Sequence, residues 1–309
     1  MKEKVAIHRA DCLQWLEQAA ADIDLTFLDP PFNQGRFYRH FDDRQDEKTY
    51  WKWMTDILAL LRGKTCAGGA VYFMQREKNA EFVLTALRKT GWTFQNLIIW
   101  KKMASAVPCA NRFGKHYQVI AAATNGPRAK IFHRLRIDPP LPPNHKQRRE
   151  NGVFVTDVWD DIRELTSGYY AGGEPIRTDE GERFHKQQAP VALLARIILS
   201  SSNPGDTVFD PFAGTGTTLV AASQLNRNAV GVEIDPANIE CIKNRVAHVR
   251  PDDSVKKHYH YYRHTQGIEK IWGAPAREFK QTTPSNAPAA RADIADWRNR
   301  SDSVRIPSV

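Results

Sequence analysis

The chain has 309 residues, 41% hydrophobic and 26% charged, enough to bury a sizeable core in one large domain or two small ones. Its net charge of +9 favours a polyanionic partner such as nucleic acid, and no apolar run approaches the roughly 20 residues of a membrane span. Cys12, Cys66, Cys109 and Cys241 lie far apart without CxxC spacing, and the N-terminal Met-Lys-Glu-Lys precedes no apolar stretch, which argues against a metal site, a disulfide framework or a secretion signal and for the cytoplasm.

Val5 to His8 reads as a strand and Cys12 to Ala20 as a helix with Leu13 and Leu16 on one face. Asp11, between them, suits either a helix N-cap or an acceptor for a ligand's amino group. Leu25 to Leu28 is a β-favouring apolar run that ends in Asp29-Pro30-Pro31-Phe32. Two prolines cannot continue a strand ladder and they fix φ, so the backbone at this strand end is stiff. A flat heteroaromatic amine could stack on Phe32 while Asp29 and the Pro30 carbonyl accept its amino hydrogens. An acidic strand end followed by a proline turn is the plainer alternative.

Residues 33 to 48 are polar and rich in both charges, with Phe37, Tyr38, His40 and Phe41 interleaved. That suits a mobile loop closing over a substrate, or a merely solvated loop. Tyr50 to Leu61 predicts an amphipathic helix, and Gly68-Gly69 lead into a strand at Ala70 to Met74. A helix at Glu77 to Lys89 and strands at Phe94 to Trp100 and Gln118 to Ala123 follow. The alternation predicts a doubly wound, mostly parallel α/β sheet with helices on both faces.

From about Pro127 to Arg183 the alternation fails. Arg134, Arg136, Lys146, Arg148 and Arg149 gather around the turn Pro139-Pro140-Leu141-Pro142-Pro143. They could grip phosphates, or form a solvated basic insertion. Asp138-Pro139-Pro140 repeats the letters of the first motif but has neither an apolar strand before it nor an aromatic after it, and reads as a turn.

Val191 to Ser200 predicts a helix, and Thr207-Val208-Phe209 a strand closed by Asp210-Pro211-Phe212-Ala213-Gly214-Thr215-Gly216-Thr217-Thr218. A helix at Thr218 to Leu225, a strand at Ala229 to Val232 ending in Glu233, and a helix from Pro236 to His248 complete the regular pattern. The chain beyond about Gly273 has the composition of a disordered tail. Gly214 and Gly216, without Cβ atoms, let the backbone turn sharply and approach a ligand. A strand, a Gly-rich turn, a helix and a second strand ending in an acid roughly 20 residues on form a ribose-binding arrangement, with Glu233 placed to accept both hydroxyls. No lysine follows Gly216, which disfavours a phosphate loop, and Leu219 breaks the dinucleotide GxGxxG pattern. Two glycines flanked by Asp210 and threonines suit a ligand carrying an amino-acid group.

Asp29-Pro30-Pro31-Phe32 and Phe212-Ala213-Gly214-Thr215-Gly216 together resemble the D/N/S-P-P-Y/F/W and FxGxG motifs of amino-methylating DNA methyltransferases that use S-adenosylmethionine. The catalytic motif precedes the basic insertion and the cofactor motif follows it, an order that looks like the beta group of that family. The resemblance implies a Rossmann-like fold with a catalytic half at 1–126, a target-recognition insertion at 127–183, a cofactor-binding half at 184–265 and a tail at 266–309. It implies catalysis by Asp29, Pro30, Pro31 and Phe32. It also implies a cofactor site formed by Asp11 and Cys12 at the adenine, Asp210, Phe212, Ala213, Gly214, Gly216, Thr217 and Thr218 at the methionine, and Glu233 at the ribose, with Ile234 also in contact with the cofactor. Asp29, His185 and Gln187 would adjoin it. His185-Lys186-Gln187-Gln188-Ala189-Pro190 is similar to the group's H-P-T-Q-K-P only at His185, Gln188 and Pro190, and Ala189 removes a cation. Asp157-Val158-Trp159-Asp160 resembles its V-W-D element. The chemistry implied is methylation of a base flipped out of double-stranded DNA. The Asp-type tetrapeptide points to adenine N6, with cytosine N4, RNA or a protein glutamine as alternatives, and a non-catalytic DNA-binding module as a rival of another class. A cognate restriction endonuclease or an orphan role, a homodimer and a bacterial or phage cytoplasm complete the expectation.

Overall fold

The computed structural model describes residues 4–20, 22–102, 109–138, 150–165, 172–185 and 187–273. In chain order its elements are β1 (Val5–Arg9), α1 (Cys12–Gln18), β2 (Ile23–Leu28), β3 (Phe37–Tyr38), β4 (Phe41–Asp42), α2 (Glu47–Lys64), β5 (Thr65–Arg76), α3 (Ala80–Lys89), β6 (Thr93–Lys101) and β7 (Tyr117–Thr124). There follow β8 (Arg136–Ile137), β9 (Val153–Phe154), β10 (Val158–Trp159), α4 (Val191–Ser201), β11 (Thr207–Asp210), α5 (Thr217–Gln224), β12 (Asn228–Glu233), α6 (Pro236–Ala247) and α7 (Ile268–Trp272).

Eight strands make one sheet in the order β1-β12-β11-β2-β5-β7-β6-β10. All neighbours are parallel except at β7, which runs antiparallel to both β5 and β6. From β11 the chain crosses through α5 to β12, whereas from β2 it crosses through α2 to β5 on the other side. The direction of winding therefore reverses between β11 and β2, and the loops leaving their carboxyl ends diverge around a crevice. Asp29 follows β2 and Asp210 closes β11, so both motifs stand at that crevice.

Strand periodicity sorts the core into two layers. Val71 and Phe73 pack with Tyr50, Met54, Ile57, Leu58 and Leu61 of α2 and with Leu16 of α1. Tyr72, one residue out of step, points to the opposite face, where its hydroxyl lies 2.7 Å from Ser201 of α4. Helix α2 starts a turn earlier than its apolar pattern indicates because Asp46 caps it, accepting from the N–H groups of Lys48 and Thr49. Helix α4 is buried almost all round, and its Arg196 is held by both carboxylate oxygens of Asp161 at 2.8 and 2.5 Å. No described helix is long and apolar enough to cross a membrane.

Three sequence expectations change. Residues 33–48 contain the β3–β4 hairpin where an irregular loop was expected. The buried Asp43 carboxylate accepts from the backbone N–H groups of Asn33, Gln34 and Arg36, and Asn33 exchanges two hydrogen bonds with the Gln45 backbone. The irregular stretch after Pro127 returns to the main sheet, because Val158 and Trp159 pair in parallel with Ile99 and Trp100. Finally, the expected tail from 266 begins with ordered core: Ile268, Ile271 and Trp272 are buried, and the buried Arg227 donates to the Ile271 carbonyl at 2.7 Å. The rest of that tail, with Lys146, Arg148, Arg149 and the Pro139-Pro140 turn, lies outside the described residues.

Candidate active site

The strand ends of β2 and β11 open into one cavity of about 590 Å³, lined by Asp29 to Phe32 on one side and by Asp210 to Thr215 on the other. On the β11 side the turn is made by Gly214 at φ +51° and Gly216 at φ +80°, both left-handed conformations that favour glycine. A Cβ on Gly216 would stand 2.7 Å from Ile242, so the glycine also lets α6 pack against the turn. A Cβ on Gly214 would come no nearer than 3.8 Å to the protein, leaving room along the cavity wall. Leu219, which breaks the dinucleotide pattern, finds its space on the facing strand: a Cβ on Gly231 would lie 2.7 Å from it.

The turn is braced by carboxylates. Asp210 accepts from the Phe212 N–H at 3.0 Å and from the Thr218 hydroxyl at 2.5 Å. Glu233 accepts from the N–H groups of Gly214 at 2.7 Å and Asp235 at 2.8 Å. Carboxylate oxygens have further lone pairs for a ligand's donors. Burial pushes the Asp210 carboxyl up to about 7, with the Glu233 charge adding to it and the hydrogen bonds from Thr218 and Phe212 opposing. Burial raises Glu233 as well. Behind the turn, Arg245 donates to the Thr215 carbonyl at 2.6 Å and pairs with Asp253 at 2.7 Å, both side chains buried. Thr217 lines the cavity and meets Arg245 at 3.3 Å.

On the β2 side the tetrapeptide backbone is held from below. The Tyr50 hydroxyl donates to the Pro31 carbonyl at 2.8 Å and accepts from Gln75 Nε2 at 2.9 Å, and Asn79 donates to Gln75 at 3.2 Å. Tyr50 and Gln75 are fully buried, so a satisfied polar chain through the core sets where the prolines sit. Phe32 is 6% exposed and lines the cavity. Burial raises the Asp29 carboxyl well above its ordinary value, and the Asp210 charge adds to this while Lys102 opposes it.

Lys102 was not singled out in the sequence. It follows the carboxyl end of β6, a strand running in the same direction as β2, and lines the same cavity with its ammonium 3.2 Å from the Trp100 ring centroid. Burial brings it down to about 7, although Glu164 and Asp29 pull it up. Glu164, Arg183 and Tyr38 also line the cavity and were not anticipated as site residues. A cation directly after a sheet strand was the one signal that pointed to Lys102.

The remaining expected residues divide. Asp11 caps α1, accepting from Leu13 and Gln14 N–H at 2.9 and 3.2 Å, and also lines the cavity beside Cys12. Cys12 is buried, which pushes its thiol up, with Asp11 adding. His185, Gln187, Phe212, Ala213, Thr218 and the 40% exposed Ile234 are all in the wall. Burial lowers the His185 imidazole, Arg183 adds to the effect, and its ring centroid lies 6.3 Å from that of Tyr38. Gln188 accepts from the Ile176 N–H and donates to the Glu174 carbonyl, while Glu174 accepts from the Val191 N–H at 2.6 Å at the start of α4. Lys186 lies outside the described residues. Arg134 and Arg136 are not in the cavity wall. Both lie over the Phe154 ring, Arg136 at 4.0 Å, and Arg136 donates to the Asn151 carbonyl.

Similarity to known proteins agrees with this geometry. The family described as DNA methylase, covering N6 and N4 methyltransferases, matches residues 23–244. The DNA adenine methyltransferase YhdJ of Escherichia coli (strain K12) is 32% identical over 262 residues, spanning 78% of this chain and 80% of that protein. The crystal structure of the M1.HpyAVI-SAM complex shares the fold with a TM-score of 0.54 at 20% identity, covering 79% of this chain and 100% of that one. The cytosine-N4-specific PvuII DNA methyltransferase does so with a TM-score of 0.57 at 15% identity, covering 87% of this chain and 93% of that one. With its two motifs facing each other across one cavity and this match over most of its length, the chain belongs to the N6/N4 DNA methylase family.

Proposed function

We propose that this chain transfers a methyl group from S-adenosylmethionine to the N6 amine of an adenine in duplex DNA, at sites chosen by base sequence. The observation that carries the reading is the shared cavity at the switch point, with Asp29 on one wall and the Asp210 turn on the other. Its donor set fits the cofactor: carboxylates at Asp210 and Glu233 for an ammonium and two ribose hydroxyls, open space over Gly214, and Asp11, Cys12 and Ile234 for an adenine ring. Gln187 and His185 would close the same pocket. When bound, S-adenosylmethionine supplies a methyl group on a positively charged sulfur.

The residues of this chain make the amine receptive. An exocyclic amine conjugated to its ring is a poor nucleophile because its lone pair is delocalised. Asp29 and the Pro30 carbonyl would accept its two hydrogens, favouring a pyramidal nitrogen, while Phe32 stacks on the flipped ring. Pro31, clamped by Tyr50, holds these acceptors in place, and positioning supplies much of the rate. Once methylated, the nitrogen carries an acidic proton. A carboxyl raised by burial takes it readily.

Adenine is favoured by the Asp-type tetrapeptide and by likeness to an enzyme named as an adenine methyltransferase. The fold alone does not choose, since a cytosine-N4 enzyme shares it. Duplex contacts would fall in 127–183, where Arg134, Lys146, Arg148 and Arg149 gather. A restriction partner, a homodimer and a cytoplasmic location are further parts of this reading. Nucleoside mass spectrometry of unmethylated duplex DNA incubated with the protein and S-adenosylmethionine tests it, with Asp29→Ala as control. N6-methyladenine that disappears with Asp29→Ala is the expected result. N4-methylcytosine would overturn the choice of base, and no methylated base with cofactor still bound would redirect the search to RNA or protein amides.

A further inference from the structure

The β3–β4 hairpin stands at the mouth of the cavity with an aromatic ring pointing away from the protein. Phe37 is 89% exposed, although it sits on a hydrogen-bonded hairpin whose lead-in backbone, Asn33 to Arg36, is pinned by Asp43. Strand alternation explains the direction. Tyr38 turns inward toward His185 and Phe41 packs on Trp53 with ring centroids 5.2 Å apart, so Phe37 must turn outward. The hairpin is thus seated by two of its aromatics and presents the third to solvent.

The charges around Phe37 are sorted in the same sense. Asp42, Asp43 and Asp46 each commit their carboxylates to nearby backbone N–H groups. Arg36, Arg39 and Arg44 are exposed, and among the described residues no carboxylate pairs with them. A lone aromatic ring raised on a stiff support and ringed by unneutralised cations matches one kind of partner: a stack of flat rings along a polyanionic backbone.

We propose that Phe37 is a wedge that enters the base stack of the duplex and occupies the gap left when the target base leaves it, while Arg36, Arg39 and Arg44 hold the flanking phosphates. This rests on the proposed action on duplex DNA. Apolar side chains inserted between base steps unstack them, and extrusion of a base is easiest where it is already unpaired. The wedge therefore matters for paired substrates and is dispensable for single strands.

The test compares methyl incorporation into unmethylated, linearised plasmid DNA presented as duplex and as heat-denatured strands, for the wild type, Phe37→Ala and Phe37→Trp. Phe37→Ala should slow duplex methylation roughly 5- to 150-fold, the range that one aromatic–base stack is worth on alanine substitution, and leave the single-strand rate within about twofold. Phe37→Trp should keep the duplex rate. Equal loss on both substrates, or no loss on either, overturns the wedge. A second readout needs no chemistry: an inserted ring unwinds DNA, so plasmid relaxed by a topoisomerase with the wild type bound should shift in linking number, and with Phe37→Ala bound it should not. If the wild type methylates no DNA, or no single strands, that shift decides, its absence counting against the wedge. A wild type that shifts the linking number but methylates no DNA, with the shift lost in Phe37→Ala, sinks the methyltransferase reading and spares this one.

Discussion

On the β11 side of the cavity the acids lean on backbone N–H groups, Asp210 on Phe212 and Glu233 on Gly214 and Asp235, and the turn they brace is backed by a buried ion pair. On the β2 side the backbone is held by Tyr50, but Asp29 and Lys102 are both shifted by burial and then act on each other's charge through space, beside Asp210 and Glu164. Short directional bonds give the first wall one shape, suited to the parts of a cofactor that are the same before and after transfer. Coupled titration gives the second wall an adjustable charge, suited to a site where a proton must be accepted after each transfer. Changes to the first wall should therefore act on fold and cofactor affinity, and changes to the second on the transfer step and its pH dependence.

The largest effect is expected behind the glycine turn. Arg245 joins the Thr215 carbonyl to Asp253, and both partners are buried. Removing Arg245, as in Arg245→Met, leaves the Thr215 carbonyl without this donor and the buried Asp253 carboxylate with the partly exposed Arg250 alone, at a cost of up to about 3 kcal/mol. Urea denaturation should show that loss, and calorimetric titration should show weaker S-adenosylmethionine binding by the folded fraction. The double variant Arg245→Met, Asp253→Leu should recover part of the stability, because no fully buried charge remains: Arg250 is partly exposed and keeps the Glu174 carbonyl. Stability near wild type in Arg245→Met alone would mean that the turn stands without its brace.

How much of this was written in the sequence depends on the range of the interaction. The two motifs were legible because each is a run of neighbouring letters, and Glu233 because strand, helix and strand have nearly fixed lengths. The Arg245–Asp253 pair, eight positions apart, was not, since its meaning depends on the Thr215 carbonyl thirty positions earlier. The hairpin escaped for a similar reason: one carboxylate at Asp43 collects three N–H groups from seven to ten positions back, which no periodicity records. Ile268 to Trp272 is too short to show a helical period, and its burial follows from the contacts of Arg227. Lys102 carries no motif at all. Only the sheet order brings the end of β6 to the same edge as the end of β2.

A smaller effect should come from the Asp210 proton. Its folded pKa of about 7 stands above its ordinary value of 3.8. Between those values the ligand-free protein holds a proton that the unfolded chain lacks, so this group adds stability as pH falls and loses it as pH rises through about 7. Cofactor binding should run the opposite way. A ligand ammonium favours the ionised carboxylate, so affinity should weaken below about pH 7 by up to roughly tenfold per pH unit, with release of a proton on binding. Calorimetry in buffers of different ionisation enthalpy counts that proton. Asp210→Asn should flatten both trends, and an unchanged pH slope in that variant would assign the proton to another group.

The smallest effect, and the one that separates the two walls most directly, concerns Lys102. With its ammonium down near 7 it is charged in mild acid and largely neutral in mild base. When charged it favours ionisation of Asp29, and ionised Asp29 is the form that can accept the amine's hydrogens. Lys102→Met offers Trp100 an apolar side chain of similar length in place of the ammonium and removes the charge. At about pH 9 the variant should methylate nearly as fast as the wild type, because the lysine it replaces is already neutral there. At about pH 6 it should lag, since Asp29 then has no cation to hold it ionised. The ratio of wild-type to variant kcat/KM should therefore climb as pH falls through about 7. A ratio that stays flat across the range would mean that Lys102 serves the site only by covering Trp100, and that the charge of Asp29 is set from the β11 side after all.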